Sequence, residues 1–202
     1  MFKRLIAVAA VAALAAPLAQ AQDTGDWIVR ARALHLDSRN KDTTGLDLSV
    51  NNKWFPEVDI TYFFTPNLAA ELVLTYPQKH DVRAGGTDIG TLKHLPPTLS
   101  LQYHFTGLQG FRPYVGAGIN YTRFSSEKFS PAVEAALQPR VKSSSWGLAF
   151  GAGVDVQVGG GWLLNVDVKK AHIHADITSF GADAGTLKVD PTLFSIGVGK
   201  RF

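Results

Sequence analysis

Apolar and polar residues alternate along most of the chain after about residue 26, a pattern typical of β-strands with one apolar and one polar face. The clearest example runs from Leu95 to Phe124, where two such strands flank the four-residue turn Gly107-Leu108-Gln109-Gly110. A hairpin of this kind suits either a soluble sandwich or a barrel in lipid. These two folds imply different functions, so the remaining features of the sequence are needed to distinguish them.

The same alternation predicts eight strands. Their apolar faces are long, nearly free of charge and aromatic near their ends, whereas their other faces carry polar and charged residues. The predicted strands are Asp26–Asp37, Lys53–Phe64, Leu68–Tyr76, Leu95–Phe105, Phe111–Phe124, Ser145–Val158, Trp162–Lys170 and Leu187–Phe202.

Strands of about ten residues with aromatic margins are typical of a transmembrane barrel. In lipid, an open sheet edge leaves backbone groups unpaired at a cost of several kcal/mol each, so such a sheet has to close. We therefore expect an all-β fold, an eight-stranded antiparallel transmembrane β-barrel that forms a single domain over residues 22–202. A soluble sandwich is the alternative.

The connections between the predicted strands alternate in length. Short turns at 65–67, 107–110 and 159–161 alternate with long links at about 38–52, 77–91, 125–144 and 171–186. Outer-membrane barrels have short periplasmic turns and longer extracellular loops. The pattern therefore predicts that both termini lie in the periplasm and that the long links face outward.

The beginning of the chain is typical of export. Met1–Ala21 carries Lys3 and Arg4, then an apolar run, then the small-x-small sequence Ala19-Gln20-Ala21, which predicts a cleaved secretory signal peptide rather than an anchor helix. The formal net charge of the whole chain is +3 and no cluster of basic residues suggests a nucleic-acid partner. The chain has no cysteine, so an exported protein of this sequence needs a source of rigidity other than disulfides, and a closed sheet in a membrane is one such source.

Strand number limits what the interior can do. Eight strands leave room for packed side chains or one small ligand, which excludes a wide aqueous porin. We expect the inward charges to pair across the lumen and block water, although a merely polar core is the simpler alternative. The inward charged residues are Arg30, Arg32, Glu57, Asp59, Glu71, Arg112, Asp155, Asp167, Lys169 and Arg201.

Some inward or near-lumen positions are apolar instead. They either form a local apolar passage for a small hydrophobic ligand or simply fill space. These candidate lumen residues are Phe55, Phe63, Val73, Phe124 and Leu163.

Several motifs together resemble the OmpW family. They are the run Leu92–Leu99, the run Phe111–Thr122, Ser145-Trp146-Gly147 and the Gly-x-Arg-Phe ending. The resemblance implies an outer-membrane barrel of Gram-negative bacteria with a narrow, largely hydrophobic channel associated with passage of small apolar molecules. It also implies that some members serve as receptors for bacteriocins or phage, which leaves a surface receptor or adhesin without transport as the alternative function.

The last residue resembles another signal of outer-membrane barrels. A terminal Phe202 with apolar partners at alternate positions is similar to the ending read by the barrel-assembly machinery. Lys200 departs from that ending, and a lysine there can extend its charge toward the membrane interface. We therefore expect outer-membrane lipid and the assembly machinery as partners.

Two further positions bear on transport. Pro96 and Pro97 lack N–H groups, so they predict a gap or bulge at the outer end of the fourth strand, which is either a lateral window or only a strand start shaped by proline. Lys169 stands where the family's lumen prefers an apolar or aromatic residue, and it is expected to pair with Asp167 or Asp155.

Chemistry in the loops has little support. His172, His174 and Asp176 form one suggestive cluster, which would need His80 or His35 as a third metal ligand. We expect no catalysis, no cofactor and no metal. A receptor role would reside in Ser125–Ser144, where Pro131–Leu137 is predicted to form a short helix.

Overall fold

A computed structural model of the chain describes residues 25–202, so the predicted signal peptide, Met1–Ala21, lies outside the described residues. Strands dominate this part of the chain. In chain order the elements are β1 (Trp27–Asp37), β2 (Lys41–Asp42), β3 (Leu48–Val50), β4 (Lys53–Phe63), β5 (Leu68–Leu74), β6 (Gln78–Ala84), β7 (Thr87–Leu95), β8 (Thr98–His104), β9 (Phe111–Phe129), α1 (Pro131–Leu137), β10 (Pro139–Val141), β11 (Ser144–Gly159), β12 (Trp162–Ala171), β13 (His174–Ser179), β14 (Ala182–Lys188) and β15 (Thr192–Arg201).

Eight of these strands close into an antiparallel barrel. The order around the barrel is β1, β4, β5, β8, β9, β11, β12 and β15. Closure is completed by β1 and β15, which pair from Ile28 opposite Arg201 to Asp37 opposite Thr192. The predicted eight-stranded antiparallel barrel is therefore confirmed.

The two faces of the wall differ as the alternation predicts. Outward side chains such as Leu101 and Leu148 are exposed, while their neighbours along the strand are buried. We call the end with the three short turns the turn end and the opposite end the loop end. Aromatic residues stand on the outer surface at both; the loop-end belt consists of Trp54, Tyr76, Tyr121 and Trp146.

Prolines explain where predicted and observed strands differ. The third predicted strand ends early, at Leu74, and the fourth begins late, at Thr98, because proline cannot supply the N–H that a ladder needs. The eighth predicted strand begins at Thr192 rather than Leu187, since Pro191 separates it from β14.

The fifth predicted strand is longer than expected. It continues to Phe129 because β7 pairs with its loop-end part.

The four long links are mostly ordered. β3, β6 and β7 extend the wall beyond the aromatic belt, and β10, β13, β14 and β2 form a second, four-stranded sheet. The two enclose an apolar loop-end core that includes Leu48, Val82, Leu92, Phe124 and Leu187. The structured loop end is therefore a continuation of the barrel.

The helix predicted in Ser125–Ser144 is present as α1. Ser130 caps it by accepting a hydrogen bond from the Val133 N–H at 3.4 Å, and Pro131 occupies its first turn, a favoured position. Within residues 25–202, no helix is long and apolar enough to cross a membrane.

Candidate functional site

The barrel interior is layered from the turn end upward. The lowest layer is apolar, where Ile28, Phe63, Ala69 and Leu163 pack together and are buried. Two candidate lumen residues, Phe63 and Leu163, therefore lie in a plug at the turn end.

Above this plug lies a layer of ion pairs centred on Arg30. Its guanidinium is fully buried and contacts two carboxylates at 2.6 Å, Asp59 Oδ1 through Nη1 and Asp155 Oδ2 through Nη2. Arg30 Nη1 also donates to Thr61 Oγ1 at 2.8 Å. Charged hydrogen bonds of this length are about twice as strong as neutral ones, so Arg30 ties β1 to β4 and, across the lumen, to β11.

Two more cations complete the layer. Arg32 Nε lies 2.6 Å from Glu57 Oε1, and Arg32 Nη2 lies 3.4 Å from Glu71 Oε1. Lys169 Nζ lies 2.9 Å from Glu71 Oε2 and 3.4 Å from Asp167 Oδ1. Lys169 therefore pairs with Asp167, one of its two predicted partners, whereas the other, Asp155, pairs with Arg30.

Most of the inward charged residues pair with one another in this layer, as predicted, and the layer closes the lumen. Arg112 and Arg201 are exceptions, since Arg112 Nη2 donates to the Pro66 carbonyl and Arg201 Nε donates to Asp26 Oδ2, both at 2.5 Å at the turn end. The side chains of this layer come from β1, β4, β5, β11 and β12 and connect these strands across the lumen. It separates the turn end from the space above.

Tyr114 of β9 extends into this layer and hydrogen-bonds to two residues of β12. Its hydroxyl donates to Asp167 Oδ2 at 2.9 Å and accepts from Asn165 Nδ2 at 3.1 Å. Gly153 makes room for the ring, because a Cβ at that position would lie 2.4 Å from the Tyr114 hydroxyl oxygen. A glycine on the polar face of β11 is therefore a packing requirement of the closed layer.

A small cavity of about 20 Å³ lies on top of the ion pairs, with room for roughly one water molecule. Its floor includes Glu57, Asp167 and Lys169, and its rim on the proline side includes Thr75 and Pro96. Apolar side chains form its walls, namely Leu34, Leu36, Phe55, Val73, Ala171, Ile173 and Leu193. The cavity must widen before it can hold an organic molecule.

The wall beside this cavity has an interrupted ladder. β5 and β8 are paired up to Val73 opposite Thr98, and pairing resumes only at Gln78 of β6 opposite His94 of β7. Residues 74–77 and 95–97 therefore face each other without a strand ladder. We call this interruption the gap.

The other edge of the proline segment is closed. The Tyr121 N–H donates to the Pro97 carbonyl at 3.0 Å, and Asn120 Nδ2 donates to the Pro96 carbonyl at 3.2 Å. The prolines therefore remain attached to β9, and the interruption lies on the side of β5 and β6.

Polar atoms without partners surround the loop-end side of the gap. Thr75 Oγ1, Gln78 Oε1, His80 Nε2 and His94 Nε2 are buried and accept or donate no hydrogen bond within the described part of the chain. We call these four residues the polar collar. Because buried polar groups are normally satisfied, such a cluster indicates a place where water or a ligand is accommodated.

The two collar histidines are held neutral. Their rings stack, with centroids 4.5 Å apart and planes 11° from parallel. Burial lowers the pKa of His94 to about 3, with a further contribution from His80, and burial also lowers the pKa of His80. His80 Nδ1 lies 3.1 Å from the Asn51 carbonyl, an arrangement that places the proton on Nδ1 and leaves the lone pair on Nε2.

Sequence reasoning brought only part of this site together. Phe55, Val73, Lys169 and Pro96 meet at the cavity, whereas Phe124 lies in the loop-end core. The sequence predicts a long link at residues 77–91, whereas the structure forms β6 and most of β7 there, and three of the four collar residues lie on these two strands. Gln78 to Asp81 are all polar, so the alternation of buried and exposed positions over Gln78 to Val82 is visible only in the structure.

The loop histidines stand apart from one another. His172 Nδ1 lies 3.1 Å from the Leu148 carbonyl, and His174 Nδ1 lies 3.1 Å from Ser145 Oγ. The His35 ring lies against Trp54 in a tilted arrangement, with centroids 4.8 Å apart, and His80 belongs to the collar. Over residues 25–202 no group of three or more His, Cys, Asp or Glu side chains is arranged to hold a metal ion.

Comparison with known proteins gives a consistent result. A model of the OmpW family matches residues 23–202. Outer membrane protein W of Vibrio cholerae is 36% identical over 217 residues, covering 100% of both chains. The crystal structure of the outer membrane protein OprG from Pseudomonas aeruginosa superposes with a TM-score of 0.79 at 28% identity, covering 90% of this chain and 97% of that one.

A more distant relative carries a functional name. The dibenzothiophene metabolism operon protein PahQ of Pseudomonas aeruginosa is 28% identical over 151 residues, covering 71% of this chain and 69% of PahQ.

Proposed function

This chain belongs to the OmpW family of outer-membrane barrels, and on that premise we propose that it forms a narrow route for small hydrophobic molecules. The molecule enters the barrel from its loop end, occupies the cavity and leaves sideways into the membrane through the gap. The loop end faces outward and both termini face the periplasm, as is usual for barrels with an even number of strands.

One observation carries this proposal: the apolar cavity adjoins the gap above a floor of ion pairs. A molecule that reaches the cavity meets Arg32, Lys169 and their carboxylate partners below it. Moving an apolar molecule through that layer would strip charges of their partners at several kcal/mol each. The sideways path needs no such step, because residues 74–77 and 95–97 have no ladder to break.

The relatives support an apolar substrate class. PahQ is named for the metabolism of dibenzothiophene, an apolar aromatic compound, and the cavity walls are lined by aliphatic and aromatic side chains. Outer membrane protein W of Vibrio cholerae and OprG are outer-membrane proteins rather than enzymes. Recognition of Phe202 by the assembly machinery and a receptor role for phage or bacteriocins stay predictions.

A reversible cross-link across the gap tests the lateral route. Thr75 and Pro96 line the cavity from the two sides of the gap, and the chain has no cysteine of its own. We expect Thr75→Cys with Pro96→Cys, once oxidised, to lower accumulation of the apolar probe N-phenylnaphthylamine in cells several-fold. A reductant should restore uptake.

The control places the same cross-link where the ladder is intact. Leu72→Cys with Leu99→Cys joins directly paired residues of β5 and β8 on the lipid-facing side. This pair should leave uptake unchanged in both redox states. Undiminished uptake by the oxidised gap variant, with the cross-link verified by mass spectrometry, would overturn the lateral route.

A further inference from the structure

Three basic side chains project outward just above the loop-end aromatic belt. They are Lys79 of β6, Lys93 of β7 and Arg123 of β9, and all three are exposed. Their chain neighbours His80, His94 and Phe124 are buried, so the strand alternation directs the basic side chains away from the barrel interior. We call them the basic patch.

The strand register brings the three charges together. Lys79 is directly opposite Lys93, and Leu95, two residues further along β7, is opposite Arg123. Directly opposed side chains have Cβ atoms about 5 Å apart and diagonal ones about 7 Å apart. Like charges at such distances destabilise a sheet unless an anion compensates them.

No acidic side chain supplies that compensation. Some basic residues elsewhere at the loop end pair with acids, as Arg83 does with Asp88 and Lys142 with Asp176, but within residues 25–202 none of the three patch residues makes an ion pair. Asp81 stands on the same face of β6, opposite Thr91 and so diagonal to Lys93, but it makes no ion pair with any of the three. With three positive charges and one carboxylate that is not paired with them, the patch carries a net positive charge.

The basic patch lies at and just above the level of the lipid headgroups. Arg123 stands two residues beyond Tyr121 on β9, and Lys93 is opposite Ser125, four residues beyond Tyr121. These separations are about 7 and about 13 Å along the strand, or about 5 and about 10 Å along the membrane normal at a strand tilt of roughly 40°. The headgroup region extends about 5–8 Å from the hydrocarbon on each side of a bilayer. Below the patch, the lipid-facing surface continues through Leu99 and Ile119.

We propose that the basic patch binds the phosphate groups of a phosphorylated glycolipid in the outer leaflet. Lysine and arginine are the usual ligands of phosphate, and the lipid's acyl chains would lie along the apolar wall below. The patch flanks the gap, so the bound lipid stands beside the lateral opening. The inference goes beyond the transport proposal and shares with it only the outward orientation of the loop end.

Binding of bisphosphorylated lipid A to the purified barrel in neutral detergent tests this proposal. The variant K79Q/K93Q/R123Q should bind this lipid at least ten-fold more weakly than the wild type by native mass spectrometry. The charge-preserving variant K79R/K93R/R123K should retain binding. Heat-modifiable migration on a gel establishes that each variant is folded. If K79Q/K93Q/R123Q folds poorly, K79R/K93R/R123K still tests the proposal, because loss of binding by this charge-preserving variant would contradict it.

A matched control uses another directly opposed basic pair, Lys41 and Lys188, which belongs to the second sheet rather than to the barrel wall. K41Q/K188Q should leave binding unchanged. Lipid A stripped of both phosphates should bind weakly, and inorganic phosphate should not compete at millimolar concentration. The proposal would be overturned if K79Q/K93Q/R123Q bound lipid A as tightly as the wild type, or if K41Q/K188Q lost binding to the same extent as K79Q/K93Q/R123Q. Equal binding of the dephosphorylated lipid, or saturation of the site by free phosphate alone, would also overturn it. Because no transport is measured, these results are independent of the cross-link experiment.

Discussion

The turn-end half and the loop-end half of the barrel interior differ in how their polar groups are satisfied. In the turn half, cations are placed within 2.6–3.4 Å of carboxylates on other strands, and an apolar plug lies beneath them. In the loop half, aliphatic walls surround a cavity whose collar carries four polar atoms without partners. The first half is held together by charge compensation, whereas the second contains a small apolar cavity and polar atoms that no other side chain of residues 25–202 satisfies.

This difference shows how a narrow barrel combines strength with access. A buried ion pair is costly to break, because removing one partner leaves the other charge without compensation in a low-dielectric interior. An unpartnered hydroxyl or imidazole is less costly when water can reach it. On the proposed route, the turn half thus keeps the barrel closed while the loop half takes up and releases the ligand.

The largest expected effect comes from breaking the turn half at Arg30. Arg30→Met leaves Asp59 and Asp155 buried without their main partner, so we expect the free energy of unfolding to fall by about 3–5 kcal/mol. Denaturant unfolding in detergent, followed by tryptophan fluorescence, measures this loss. Arg83→Met, which breaks an exposed pair with Asp88, should leave the unfolding midpoint unchanged. Equal midpoints for both variants would remove the distinction.

A matched pair of threonines sharpens the comparison. Thr61 Oγ1 accepts from Arg30 at 2.8 Å, whereas Thr75 Oγ1 is buried without a partner. Thr61→Val should therefore cost about 1.5–3 kcal/mol, because a hydrogen bond to a charged group is lost. Thr75→Val should be within about 0.5 kcal/mol of the wild type or slightly stabilising, since no hydrogen bond is removed. A larger loss for Thr75→Val would contradict the description of the collar.

The smallest effect on global stability is expected from acid. The folded pKa of His94 is near 3, below its ordinary value of 6.5, so the unfolded or opened hairpin binds a proton more readily than the closed one. Stability of the β6–β7 hairpin is therefore full above about pH 6.5 and falls as the pH drops toward 3. Hydrogen exchange of β6 and β7 amides, corrected for intrinsic rates, should show more frequent opening at pH 5 than at pH 7.

The matched variant for this measurement is His94→Phe, which retains an aromatic ring against His80 without the titrating group. It should flatten most of the pH dependence in β6 and β7. An unchanged pH dependence in this variant would show that other groups control the hairpin.

The barrel itself was predictable because lipid imposes a strict alternation. Each lipid-facing position has to be apolar and each sheet edge has to be paired, so residues such as Leu99 and Ile119 mark their strands without ambiguity. The seventh strand, predicted from Trp162 to Lys170 and observed to Ala171, shows how close this comes. The inward position of Lys169 and its pairing with Asp167 followed from the same alternation.

The loop end was less predictable because no lipid constrains it. β6 and β7 are short, charged on the outside and polar on part of the inside, and Gly85-Gly86 at their tip resembles an ordinary loop. Their strand pairing depends on contacts with β3 and β9 that are distant in sequence. The polar collar and the stacking of His80 on His94 therefore emerge only from the assembled structure.

The interruption of the wall on one side gives the molecule a front and a back. The wall formed by β5, β6, β7 and β8 is interrupted at the gap, whereas on the opposite side β12 and β15 pair without a break from Trp162 opposite Lys200 to Lys170 opposite Thr192. In a crowded membrane, neighbours on the two sides are therefore not equivalent. A protein packed against the front covers the gap, while one packed against the back leaves it free, so the rotational setting of each barrel among its neighbours becomes part of its working state.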